Sequence, residues 1–147
     1  MMTRFRSLRV MLVEDNPDDI EIARRAFKRT DLVSDIMLAR DGQDVIDLLL
    51  PERDEADGPR PDLILLDLNL PRLNGFEVLE RLRASDRYDT VPVIVLSASA
   101  RQEDVVRSYR LGANSYLQKP AVYEEFTQLL DVLGRYWLQL VTLPPPQ

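Results

Sequence analysis

The stretch Leu63-Ile64-Leu65-Leu66-Asp67-Leu68-Asn69-Leu70-Pro71 constrains this chain more than any other. Four apolar residues run without interruption into one acid, and a turn follows. So short an apolar run suits a strand buried on both faces, as in a parallel sheet. A carboxylate is costly to bury unless something compensates it. Asp67 is therefore placed where the strand ends and the chain emerges. In open α/β sheets, the carboxyl ends of the strands are where ligands bind.

Composition narrows the chemistry available there. The 147 residues suit one domain, and a domain of that size builds a core without covalent staples. There is no cysteine, which removes disulfides and thiolate metal sites. There is no histidine, which removes imidazole acid–base catalysis and imidazole ligands. The chain is thus not itself a phosphohistidine carrier. A net charge of −6 argues against direct nucleic-acid binding. No apolar run reaches the ~18 residues of a membrane span. Met1 to Arg9 is basic, but no long apolar segment follows it, so it reads as a solvated arm rather than a secretory signal. A cytoplasmic protein is expected.

The chain alternates between short apolar runs and stretches of helical spacing. Leu8 to Val13 is an apolar strand ending at Glu14-Asp15. Asn16 is placed to cap a helix, Pro17 suits its first position, and Asp18 and Asp19 complement its positive end. Ile20, Ala23 and Phe27 repeat at helical spacing to about Thr30. Asp35 to Ala39 predicts a second strand. Asp41 caps a helix over Gly42 to Leu50 with Val45, Leu48 and Leu49 inward. Glu52 to Pro61 is charged and Pro-rich, which predicts a surface loop. Asp62 to Asp67 is the third strand. A helix carrying Phe76, Leu79 and Leu82 follows. Val93 to Leu96 is the fourth strand, ending at Ser97. A helix from Gln102 to Leu111 stops at Gly112, a residue suited to a helix end. Ser115 to Gln118 is a short fifth strand, Lys119-Pro120 follows it, and a last helix runs from Tyr123 to about Leu140. Five alternations predict an α/β fold, a parallel sheet with helices on both faces. The expected division is an N-terminal arm over 1–7, a domain over 8–140 and a Pro-rich tail over 141–147.

Right-handed crossovers bring the strand ends to one edge of the sheet. Glu14, Asp15, Asp67, Ser97 and Lys119 should therefore converge. Three carboxylates in one place repel, so they must take up a proton or hold a cation. All-oxygen ligands select a hard cation such as Mg²⁺, which commonly shares itself with a phosphate. Lys119 suits one phosphoryl oxygen and the Ser97 hydroxyl another. A carboxylate can act as nucleophile and become an aspartyl phosphate. The cluster is suited to place a phosphoryl group on Asp67.

Val13-Glu14-Asp15-Asn16, Leu66-Asp67-Leu68-Asn69-Leu70-Pro71, Asn74-Gly75, Leu96-Ser97-Ala98 and Tyr116-Leu117-Gln118-Lys119-Pro120 stand in that order along the chain. Together they resemble the receiver domain of two-component response regulators, over about Leu8 to Leu133. The resemblance implies a (βα)5 doubly wound, flavodoxin-like fold with a five-stranded sheet of order 2-1-3-4-5, for which a receiver protein is itself a standing example. It implies Asp67 as phosphoacceptor, Asp15 and Asp67 as direct Mg²⁺ ligands, Glu14 acting through a bound water, and the backbone carbonyl of Asn69 as a further ligand. It implies Ser97 and Tyr116 as switch residues and Lys119 as phosphoryl binder. It also implies that Pro120 supports a cis peptide that aims Lys119. Asn74 and Ala121 depart from the commoner residues of the family, but neither touches the phosphorylation chemistry.

Two other classes are weighed. A phosphatase with an aspartate nucleophile needs a second acid two positions on, and Asn69 stands there. A phosphorylation-independent interaction module would be expected to have lost Asp67, Asp15 or Lys119, and all are present. The expectation is a phosphoacceptor that assists its own phosphorylation and dephosphorylation rather than a turnover enzyme. Its partner is a sensor histidine kinase, and its output is binding to an unidentified downstream protein. The last helix carries Tyr136, Trp137, Leu140 and Val141 beyond what such a domain needs. They either fold back on their own domain or form a protein–protein surface. The second is preferred, with a homodimer as the simplest partner. The ending Tyr136-Trp137-Leu138-Gln139-Leu140-Val141-Thr142-Leu143-Pro144 is similar to that of single-domain regulators paired with phytochrome-type histidine kinases, which implies a bacteriophytochrome as the kinase.

Overall fold

Alternating periodicity becomes alternating structure in the computed structural model, which describes residues 8–50 and 60–145. The basic arm and most of the charged loop predicted from Glu52 lie outside the described residues. The strands are β1 (Leu8–Val13), β2 (Val33–Ala39), β3 (Leu63–Leu66), β4 (Val93–Ser97) and β5 (Ser115–Gln118). The helices are α1 (Pro17–Lys28), α2 (Gly42–Leu49), α3 (Gly75–Arg83), α4 (Gln102–Arg110) and α5 (Tyr123–Gly134). All strand pairs are parallel and the order is β2-β1-β3-β4-β5. The order reverses between β1 and β3, so a crevice opens at their carboxyl ends.

Strand period two divides the core into two layers. Met11, Val13, Ile64, Leu66, Val93 and Val95 face one side and pack with Val45, Leu49, Val78, Leu79 and Leu82. Leu8, Val10, Leu12, Leu63, Leu65, Ile94 and Leu96 face the other and pack with Ile20, Ala23, Phe27, Phe126, Leu130 and Leu133. Each such Val, Leu, Ile, Met or Phe side chain contributes about 1.5–3 kcal/mol when fully buried. Leu48, expected to face inward, is instead 39% exposed; Val45 and Leu49 already fill that face of α2.

Caps form as the side-chain types dictate. Asn16 Oδ1 accepts from the N–H groups of Asp18 (2.9 Å) and Asp19 (3.1 Å). Asp41 Oδ1 accepts from Asp44 N (2.8 Å), and Asn74 Oδ1 from Glu77 N (3.0 Å). Gly112 ends α4 with φ +105°, in the left-handed region that favours glycine.

The C-terminal stretch departs from expectation. After Gly134 the last helix winds on as a π-helical segment, Arg135–Leu140, closed by a bond from Val141 N to Tyr136 O (2.9 Å). Leu138 and, beyond it, Leu143 are buried against the layer covered by α1 and α5. The segment after 140 is therefore not simply a tail, because Leu143 gains more from that apolar layer than from water. The four residues expected to form one partner surface divide. Trp137 and Val141 are partly buried against their own domain, whereas Tyr136 (53% exposed) and Leu140 (76%) face outward. Trp137 packs on the apolar layer beneath it, and the Tyr136 ring meets it edge-on at 5.4 Å.

Candidate functional site

At the carboxyl edge of the sheet, β1 runs into Glu14 and Asp15, β3 into Asp67, β4 ends on Ser97 and β5 delivers Lys119. Glu14 and Asp67 are buried at 4% and 8% exposure, while Asp15 is exposed. One carboxylate oxygen from each of these three acids lies within 4.8 Å of the other two.

Lys119 crosses the crevice to meet this cluster. Its Nζ donates to Glu14 Oε1, to Asp19 Oδ2 (3.0 Å) and to Asp67 Oδ2 (3.3 Å). Glu14 Oε2 accepts from the backbone N–H groups of Asp15 (3.1 Å) and Asn16 (3.2 Å). Asp67 Oδ1 accepts from Asn69 N (3.0 Å), which folds the β3–α3 turn back over the acid. The peptide bond between Lys119 and Pro120 is trans, as are all the described peptide bonds, so the expected cis peptide is not there. Trans is the lower-energy X-Pro isomer by about 0.5–1 kcal/mol. The aim of Lys119 comes instead from its backbone N–H bond to Ser97 O (2.7 Å) and from the three acids.

The crevice holds more negative charge than Lys119 balances. Burial pushes the Glu14 carboxyl up to about 7; the Lys119 hydrogen bond opposes this and the Asp67 charge adds to it. Burial on its own would lower Lys119, but the Glu14 hydrogen bond and the charge of Asp67 outweigh it and hold the ammonium above the ordinary lysine range. The fold thus binds a proton at Glu14 more tightly than the unfolded chain does. That contribution favours the fold fully below the ordinary carboxylate range and is lost as pH rises through about 7. From about pH 5 to about pH 8, the metal-free protein should lose roughly 2–3 kcal/mol relative to Glu14→Gln. Urea midpoints measured across that window check it, and a constant difference between the two proteins would refute it. Lys119 stays charged throughout, so it adds no slope.

Ser97 is fully buried, and its Oγ accepts from Ser99 N (3.1 Å). Ser99 Oγ donates to Asp104 Oδ2 on α4 (2.6 Å), and the Ser99 carbonyl accepts from Tyr116 Oη (2.9 Å). Tyr116 N in turn donates to Tyr109 Oη (3.1 Å). Ser97 is therefore connected to Tyr116 and α4 through one residue. Glu14, Asp15, Asp67 and Lys119 converge as the sequence predicts, with Asn69 in the turn above Asp67. Tyr136, Trp137 and Leu140 lie in the C-terminal helical segment and Val141 just after it, and none takes part.

Two features were missed in the sequence. In the sequence Asp19 only complements the α1 helix end, yet in the structure its side chain reaches Lys119. Arg72 holds φ +65° and makes a two-pronged pair with Asp41, Nε to Oδ2 at 2.8 Å and Nη2 to Oδ1 at 3.0 Å. That pair fastens the turn after Asp67 to the start of α2.

Residues 10–131 match the family model described as the response regulator receiver domain. This chain belongs to the response regulator receiver family. The receiver is 34% identical to the response regulator Rcp1 of Synechocystis sp. over 135 residues, 92% of each chain. It superposes on the phosphorylated cyanobacterial phytochrome response regulator RcpA with a TM-score of 0.90 at 36% identity, covering 95% of this chain and 100% of that one. The Mn²⁺-bound form of Rcp1 gives 0.88 at 33% identity, over 94% and 99%. Its role is that of a phosphorylation-dependent receiver in two-component signalling, homologous to phytochrome response regulators, and its partner class is the histidine kinase. The three clustered carboxylates, all hard oxygen donors in charge excess, fit a divalent cation such as Mg²⁺. Among the described residues, no helix is long and apolar enough to cross a membrane.

Proposed function

We propose that Asp67 accepts a phosphoryl group from the phosphohistidine of a phytochrome-type kinase, and that Ser97 and Tyr116 convert the event into a change at α4. The observation that carries this reading is Lys119 Nζ lying between the buried carboxylates of Glu14 and Asp67. An Asp67 oxygen attacks phosphorus, the O–P bond forms as the P–N bond of the donor breaks, and the departing imidazole nitrogen keeps the electron pair and takes a proton from water. Lys119 meets the charge on the phosphoryl oxygens without losing its own proton. Glu14, Asp15, Asp67 and the carbonyl of Asn69 would hold Mg²⁺, whose part when bound is to neutralise charge on the transferring group.

The product stays attached to Asp67, so the chain is a phosphoacceptor rather than a turnover enzyme. Asn69 cannot protonate a leaving group as the general acid of a phosphatase would. When the Ser97 hydroxyl turns towards a phosphoryl oxygen, Ser99 N loses its acceptor. The Ser99 carbonyl and hydroxyl then shift, and with them Tyr116 and Asp104. This biases an existing two-state equilibrium at the α4 face. The likeness to RcpA supports the phytochrome pairing, and the cytoplasm is proposed as the site of the exchange. Fractionation that finds the chain elsewhere would overturn that placement. Incubation with Mg²⁺ and phosphoramidate should yield one base-labile phosphate per chain. Labelling that is indifferent to chelation of Mg²⁺, or no labelling at all, would overturn the reading.

The outward pair Tyr136 and Leu140, backed by Trp137 and Val141, is proposed to join two copies of the chain, since large exposed apolar side chains on one helical face mark an interface. Leu140→Glu should shift the sedimentation equilibrium to monomer. A wild-type mass that stays monomeric at every concentration, phosphorylated or not, would sink the dimer.

A further inference from the structure

We propose that Asp19 is a positioning residue for Lys119 during phosphoryl transfer, an inference that rests on Asp67 being the phosphoacceptor. A lysine ammonium has three donors on a flexible stem. All three are engaged here, by Glu14, Asp19 and Asp67. Glu14 and Asp67 belong to the carboxylate group able to share a cation, and Asp19 does not. Asp67 also carries the incoming phosphoryl group. Two of the three anchors of Lys119 are therefore drawn into other bonds when the site is loaded, and Asp19 is the anchor left.

Asp19 is built to serve in that way. Its backbone is fixed in the first turn of α1 by the Asn16 cap, at 3.1 Å. Its side chain is 21% exposed and that of Lys119 10%, so their pair is partly shielded from solvent. Asp18, one residue earlier under the same cap, is exposed and contributes the same charge to the helix end. With one donor held by Asp19, two remain for the phosphoryl oxygens as the O–P bond forms and the donor's P–N bond breaks. Without Asp19 the four-carbon stem must be ordered by the transfer itself.

The test compares Asp19→Asn, Asp19→Glu and Asp18→Asn at saturating Mg²⁺ with phosphoramidate as donor. Asp19→Asn should slow the initial rate by about 3- to 10-fold, Asp19→Glu should recover part of it, and Asp18→Asn should match wild type. In metal-free protein, acetic anhydride should label Lys119 several-fold faster in Asp19→Asn than in Asp18→Asn, read by peptide mass. A wild-type rate in Asp19→Asn, an equal slowing in Asp18→Asn, or unchanged labelling of Lys119 each overturns the inference. Where Asp19→Asn does not hold its fold by circular dichroism, Asp19→Ser serves the same comparison. Absence of phosphate on the wild type is a different failure, that of the acceptor reading on which this one stands.

Discussion

Asp67→Asn should take up no phosphate under conditions where the wild type is labelled on nearly every chain. The amide keeps the size and shape of the carboxylate, and its oxygen can still accept from Asn69 N, so the β3–α3 turn should hold. What disappears is the anionic oxygen that attacks phosphorus, and no amide replaces it as a nucleophile. The folded protein should not suffer. Asp67 is 8% exposed beside Glu14, whose carboxyl its charge pushes upward. Removing that charge relieves repulsion in a crevice that Lys119 alone does not neutralise. Asp67→Asn is therefore expected to unfold at a denaturant concentration equal to or above that of the metal-free wild type. A phosphate-affinity gel and a urea titration measure the two outcomes. Equal labelling of variant and wild type would move the acceptor to another carboxylate, with Asp15 the first to examine. A large loss of stability would mean that the Asp67–Lys119 pair holds the fold rather than serving transfer.

Gly42→Ala should be among the most damaging small substitutions in the chain, by about 3 kcal/mol or more. A methyl carbon added at Gly42 would stand 2.0 Å from Leu73 O and 2.7 Å from the Leu73 carbonyl carbon. These are backbone atoms, so no side-chain rotation relieves the contact. Leu73 lies in the turn that leads from Asp67 to α3. The next residue back, Arg72, is held in the left-handed region by its two bonds to Asp41, the residue before Gly42. The turn is thus pressed against α2 at one point and fastened to it at the adjacent one. To admit the methyl group, the turn must lift, and Asn69 N then withdraws from Asp67. Thermal melts should show the loss, and phosphate uptake at saturating Mg²⁺ should fall with it. Gly134→Ala provides the contrast, because its added carbon meets only Leu138 Cδ1 at 4.0 Å and replaces glycine within a helix. A Gly42→Ala protein within about 1 kcal/mol of wild type would show that α2 and the turn can part cheaply.

The strands and helices were legible because hydrophobic periodicity is local. The short unbroken apolar runs of β3 and β4, the largely apolar run of β1 and the 3.6-residue spacing of α1 and α3 need no knowledge of the third dimension. The convergence of Glu14, Asp15, Asp67 and Lys119 followed from the handedness of parallel crossovers, which is a rule of topology rather than of particular contacts. Gly112 and the caps Asn16 and Asp41 were legible for the same local reason, whereas the cap at Asn74 emerged only in the structure. Asp19 was not, since an acid in the first turn of a helix reads identically whether it faces water or a lysine a hundred residues away. Gly42 read only as a helix start, because nothing nearby in the chain reveals that Leu73 will press against it. Trp137 and Val141 were assigned to a partner because aromatic and apolar residues at a chain end do not declare which apolar surface will be nearer.

The acid at the end of the short apolar strand, its companions at the neighbouring strand ends, and the doubly wound sheet that collects them are properties of the sequence alone, written in periodicities that span a few residues. Which donors aim Lys119, that its peptide to Pro120 stays trans, how the turn after Asp67 is fastened to α2, and which half of the C-terminal aromatic stretch remains outside were decided only by the tertiary structure. Each of those depends on side chains from distant segments competing for the same ammonium, carbonyl or apolar layer, and that competition begins only when the helices dock on the sheet.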